Sequence, residues 1–404
     1  MSRVLLEPFG PVSIFLCACR APAGAMAALQ KDDSGKLVLP TVEDECLGMK
    51  IRIEPWILSQ DPLDWAIVAL VCELSPIGDS SHVTLEQILS FNSSFRSCRG
   101  KPERQDTPLR SQVALHFGLS SGLLPAQIYE RVARQVLGSY EPPPDLKKAV
   151  TLSLAVFDRE LNDQELYLFG TIAHDDEHVG PAWAKRMVQD GVYDRWQPLG
   201  WRFLAHNYSL VCACHTGGVS SGVATSQDLA ELRQRFMRDY VRMGVNFTLE
   251  RAIVLDFGAR LKGASRFDQV RPLRETWVDF RRVLGTRWAT EGMQRLQIEK
   301  LWRHVSEQDD RAEEVDRRLD QTIRFFEAEA AVRLSTLIVL LNCFFLGFSA
   351  CGITFQFMGD FAWWVRVASS LGCGLSVGLI FWRFRRLLGI PTLLDRSPPL
   401  QRHR

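Results

Sequence analysis

The chain has 404 residues, 46% hydrophobic and 24% charged, with a formal net charge of +1. This length suffices for a large cored domain plus a smaller part, and the near-neutral balance gives no electrostatic footprint for nucleic acid, which is excluded as a partner. The ten cysteines (Cys17, Cys19, Cys46, Cys72, Cys98, Cys212, Cys214, Cys343, Cys351 and Cys373) follow no disulfide framework, and most sit in apolar runs, as buried thiols in a reducing compartment do.

At the N-terminus, Arg3 followed by "VSIFLCAC" and "APAGAMA" imitates a signal peptide, but Glu7, Pro8 and Pro11 interrupt the apolar part and argue against cleavage. From there to about residue 215, short runs recur that alternate or are continuously apolar. "KIRIEPWIL", "WAIVALVCEL", "VTLSLAVF", "ELYLFGTIA" and "WRFLAHNYSLVCAC" are all expected as strands, with a helix over "PAQIYERVARQVLG" at 125–138 and a loop at "EPPPD". Residues 1–225 therefore read as an α/β domain.

Two places in that domain hold metal-ligand chemistry. His174, Asp175, Asp176, Glu177 and His178 are consecutive; imidazole with carboxylate suits Zn²⁺ or another transition metal, and the carboxylates alone suit Mg²⁺. The competing expectation is a solvated loop. "CACH" at 212–215 adds possible ligands, although Cys212 and Cys214, two apart in a strand, share one side and are expected in the core. "HTGGVSSG" has no Walker lysine, and no arrangement for nucleophilic catalysis stands out, so an enzyme is not expected.

From Ser226 the texture becomes helical. Ser226 resembles a cap, Gly263 and Pro272 are expected to break the pattern, and a helix is expected to resume near Glu275. From about Thr286 no proline interrupts the chain. Leu301, Val305, Ala312, Val315, Leu319, Thr322 and Phe326 follow spacings of mostly three and four, a coiled-coil-like seam, and the charges around them are expected on a solvated face. Residues 226–333 are thus a helical region and stalk.

Residues 334–359 carry no charge, about the length of a membrane-crossing helix, and a second apolar stretch from Phe361 to Trp382 holds only Arg366. The expectation is a two-helix transmembrane domain at 334–388 and a basic tail at 389–404. Arg383, Arg385 and Arg386 after the second span, against Asp360 alone in the connecting turn, place both termini on the cytoplasmic side.

Within span one, Ser335, Asn342, Ser349 and Gln356 stand seven apart and so on one helix face. Two roles fit them: the lining of a pore, where hydroxyl and amide groups replace ion hydration, or glue between packed helices. In span two, Ser370, Gly374 and Gly378 form a small-residue face for helix packing.

This order of parts resembles the CorA family of divalent-cation channels and transporters: α/β domain, long stalk, two terminal spans, short outer turn, basic end. "YDRWQPLGWRFLAHNYSLVCAC" and "YVRMGVNFTLERAIVLDFGARL" are similar to a divergent bacterial branch of that superfamily. The resemblance implies a homo-oligomer, most simply a pentamer, in the lipid bilayer of a bacterial inner membrane as a multi-pass protein. Its pore would be lined by Ser335, Asn342, Ser349 and Gln356, and the ion would be Mg²⁺, Zn²⁺, Ni²⁺ or Co²⁺, as substrate or regulator, with no tightly bound cofactor. The family's Gly-Met-Asn signature is absent; Phe357, Met358, Gly359 and Asp360 occupy its place, making Asp360 the expected pore mouth. A ligand sensor or effector on a CorA-like scaffold that has lost ordinary Mg²⁺ transport is the alternative expectation.

Overall fold

The structure is a computed structural model. It describes residues 3–4, 10–20, 36–46, 49–60, 65–77, 82–96, 125–138, 142–143, 146, 148–172, 179–215, 226–264, 267–287 and 293–357, with 363–365, 367–369, 372 and 376 beyond them. Two compact units divide the chain, Met1–Asp320 and Gln321–Arg404.

The strands are β1 (Arg3–Val4), β2 (Val12–Arg20), β3 (Lys36–Val38), β4 (Val42–Cys46), β5 (Met49–Gln60), β6 (Trp65–Pro76), β7 (Val83–Thr84), β8 (Val150–Phe157), β9 (Val192–Tyr193), β10 (Trp201–His206) and β11 (Ser209–His215). They join in one mixed sheet whose main path is β3-β5-β6-β2-β8-β11-β10-β9. Along this path β8 and β11 pair in parallel and the other pairs are antiparallel. The run that imitates a signal peptide is β2, held between β6 and β8 and buried from Val12 to Cys19. Apart from Ser13 its sequence is apolar through Cys19, which suits a strand covered on both faces.

One face of the sheet carries the main core, shared with α1 (Leu85–Phe95), α2 (Pro125–Leu137), α3 (Asp163–Thr171) and α4 (Pro181–Gly191). A buried polar link crosses this layer: Asn92 Nδ2 donates to Ser153 Oγ at 3.2 Å, and Ser153 Oγ lies 3.0 Å from Ser13 Oγ. Helix α3 corrects the strand expected over "ELYLFGTIA". Asn162 and Glu165 form a reciprocal capping box that starts a helix there, and Leu166 to Gly170 are all buried. An all-buried helix and an all-buried strand share the same continuous apolar pattern.

On the opposite face lies a long helical rod. Helix α5 (Ser226–Arg235) runs through a π-helical turn (Phe236–Tyr240) into α6 (Val241–Gly263). Helix α6 crosses β2 and β8 closely enough that a Cβ on Gly244 would stand 2.7 Å from Leu152 Cδ1 and 3.0 Å from Leu16 Cδ1. The rod is followed by α7 (Phe267–Arg287), α8 (Met293–Val305) and α9 (Gln308–Phe357). The break expected at Pro272 does not occur: the proline lies one turn inside α7, where its missing N–H removes a single helical hydrogen bond.

The unbroken stalk expected from Thr286 is also corrected. Glu307 adopts a left-handed conformation (φ 54°) between α8 and α9, and the amide of Arg311 then donates to Glu307 O at 3.1 Å to start α9. Ala312, Val315 and Leu319 of the expected seam are buried within the first unit. Asp316 on the same stretch accepts from Trp277 Nε1 on α7 and lies 3.7 Å from Arg281.

The transmembrane part of the expected architecture is overturned, and the multi-pass inner-membrane placement with it. Among the described residues, no helix is long and apolar enough to cross a membrane. The apolar run is the continuation of a 50-residue helix that begins among charges, and its described side chains from Leu337 to Leu341 stand between Thr336 and Asn342. A span needs about 20 predominantly apolar residues.

Candidate functional site

Helix α9 carries the polar row. Because the helix is continuous from Gln308 to Phe357, Ser335, Asn342, Ser349 and Gln356 lie on one helix at a spacing of seven, each about 20° behind the last. The described side chains of the row, Ser335, Asn342 and Ser349, are exposed in the single chain. Around them the large apolar side chains from Leu334 to Leu341, together with Phe345, are 40% to 63% exposed. The side chain of Gln356 lies outside the described residues, as do Asp360, Ser370, Gly374 and Gly378.

The base of α9 is fixed by an ion-pair cluster. Arg295, Glu299 and Arg303 stand four apart on α8 and so share a face. Arg303 grips Glu250 of α6 with two nitrogens, Nη2 to Oε1 at 2.9 Å and Nη1 to Oε2 at 2.5 Å, and donates through Nε to Asp309 of α9 at 2.9 Å. Glu250 is fully buried, and burial pushes its carboxyl up while Arg303 pulls it down. Burial likewise pushes the Glu299 carboxyl up to about 7, against the pull of Arg303.

Two aromatic contacts complete the joint. Trp302 stacks on Phe247 with centroids 4.1 Å apart and donates from Nε1 to His206 O at 2.9 Å. The buried Arg251 guanidinium lies 3.8 Å over the Tyr208 ring and donates through Nη1 to Asn207 O at 3.0 Å. The tip of the β10–β11 hairpin, from His206 to Tyr208, thus seats both α6 and α8. The charges between residues 298 and 333 are not all on a solvated face: Glu299 and Arg303 belong to this cluster, which only the placement of Glu250 reveals.

The metal-ligand candidates fare differently. His174, Asp175, Asp176, Glu177 and His178 lie outside the described residues. Cys212 and Cys214 face the same side of β11, as their spacing requires, with sulfurs 3.8 Å apart and both buried. Burial pushes the Cys212 thiol up, which keeps it protonated and a poor ligand. Among the described residues, no group of three His, Cys, Asp or Glu side chains is placed to hold a metal ion.

No family model matches the chain, and no curated protein or solved structure matches it either.

Proposed function

We propose that the chain is the subunit of a homo-oligomeric, CorA-like divalent-cation channel or transporter, in which the α9 helices of several copies surround one axis. The observation that carries this reading is the exposed apolar wall of α9, interrupted along one line by Ser335, Asn342 and Ser349. Seven large apolar side chains, about half exposed, leave roughly 1 kcal/mol each to be gained on covering, or about 7 kcal/mol per chain. Copies of the same helix supply that cover and turn the polar row toward the axis. There, hydroxyl and amide oxygens can replace part of the hydration shell of Mg²⁺, Zn²⁺, Ni²⁺ or Co²⁺. Five copies is the number the resemblance implies. The path uses α9 alone.

A second reading is favoured by the replacement of the family's signature with Met358-Gly359-Asp360. In it, the chain is a ligand sensor or effector, and the amides pair across a dry helix interface. The separating experiment measures native mass and flux of the four cations into sealed vesicles carrying the reconstituted protein. The channel reading expects a closed oligomer, cation flux, and loss of flux in Asn342→Leu with assembly retained. Equal flux in an assembled Asn342→Leu, or no flux of any of the four ions, would leave the sensor reading in its place.

A further inference from the structure

The rod formed by α5, the π-helical turn and α6 meets the start of α8 at a cavity of about 370 Å³. Its charged lining is unbalanced: Arg235, Arg238 and Arg295 against Glu231 and Asp239, three cations to two carboxylates. The π-helical turn builds it. An extra residue in the turn lets Phe236 and Tyr240 both face the core, where Tyr240 packs 5.0 Å from Phe203. Arg235, Arg238 and Asp239 are left on the cavity side.

Both carboxylates are already engaged. Glu231 pairs with Arg235 one turn along α5, and Asp239 accepts from Arg238 Nε at 2.9 Å and Nη2 at 3.2 Å, with Arg295 3.9 Å away. These cations hold the Asp239 carboxyl below its ordinary range, Arg238 first among them, so it remains an anion and takes no part as a proton donor. Arg295 is different. Its side chain is only 16% exposed, yet its buried Nε has no hydrogen-bond partner among the described residues. Arg295 thus brings a largely buried guanidinium to the lining of a cavity whose cations outnumber its carboxylates, and an anion there would balance the surplus charge.

We infer that this cavity binds a small molecule through a phosphoryl group. Guanidinium forks from two separate elements, the rod and α8, suit an acceptor with three terminal oxygens better than a carboxylate, which a single fork saturates. The cavity lies within the range of small-molecule sites and exceeds what inorganic phosphate fills, so an organic body is accommodated as well. The site also explains why α8 carries its charges in a row. Arg295 at the cavity is followed by Glu299 and then Arg303, so a ligand on Arg295 touches the same helix face that holds the base of α9.

Calorimetric titration of the full chain with inorganic phosphate and with adenosine monophosphate tests the inference, the two arms separating free phosphate from a phosphate ester. Binding of either ligand is expected, weakened about 10- to 100-fold in Arg295→Gln, the loss of one charge-assisted contact. Arg238→Gln, at an exposed side chain that does not threaten folding, is expected to weaken binding in the same direction and carries the test should Arg295→Gln not fold. Arg271→Gln, on the exposed surface of α7, is expected to bind as the wild type does. Absence of binding for both ligands at about 10 mM, or wild-type affinity in Arg238→Gln and Arg295→Gln, overturns the inference. The titration does not depend on assembly or ion flux, so its failure leaves the channel reading untouched.

Discussion

Replacing Glu299 by glutamine should stabilise the protein above neutral pH and remove part of its pH dependence. Glu299 as a whole residue is 6% exposed, and burial raises its carboxyl from an ordinary 4.5 to about 7 in the folded chain. A carboxyl raised in the folded state is bound more tightly to its proton there than in the unfolded chain. Between pH 4.5 and 7 the folded state therefore holds more protons, and stability falls as pH rises through that window. Integrating the two titrations gives a penalty of about 1 kcal/mol at pH 5 and about 3 kcal/mol at pH 8, a difference of about 2 kcal/mol from this one group. Glutamine keeps the shape and carries no charge to desolvate. Urea denaturation of wild type and Glu299→Gln at pH 5, 6, 7 and 8 should show the two curves diverging upward in pH, with the variant the more stable at pH 8. Parallel profiles would instead mean that the neighbouring Arg295 and Arg303 fully offset the burial and that Glu299 carries no such penalty.

Gly244→Val should lower stability by about 3 kcal/mol in the same assay, since its Cβ alone would meet Leu152 and Leu16 and the crowded core must shift. Trp302→Ala should cost about 3–5 kcal/mol through loss of the stack on Phe247, whereas Trp302→Phe, which keeps a ring on Phe247 but loses the donor to His206 O and part of the indole volume, should cost about 2 kcal/mol. Cys17, Cys19, Cys72, Cys212 and Cys214 should stay unreactive toward a thiol reagent until the protein unfolds, because all five are buried.

Much of the sheet was legible because its strands advertise themselves. "KIRIEPWIL", "WAIVALVCEL" and "VTLSLAVF" became β5, β6 and β8, and "WRFLAHNYSLVCAC" folded at Asn207–Tyr208 into a hairpin. Where the sequence misled, two states shared one pattern. "ELYLFGTIA" is apolar enough for a central strand, and the Asn162–Glu165 capping box was the available signal that it is a helix. The break at Glu307 had no such signal, since neither glycine nor proline marks it. The row on α9 could be read directly from its spacing of seven. Neither the Arg303–Glu250 grip nor the arginine-lined cavity could be, because each brings together helices far apart in the chain. A run of mixed charges looks the same whether a buried carboxylate waits opposite it or only water does.

In the proposed function, the α9 helices of several copies turn Ser335, Asn342 and Ser349 toward a shared axis. Pulsed dipolar spectroscopy on the full chain, with a genetically encoded spin label at position 335 or at position 337, tests it most directly, since these positions lie about 200° apart around the helix. Inter-chain distances are expected from both sites, shorter at 335 than at 337. Absence of an inter-chain signal, or a shorter distance at 337, would contradict it.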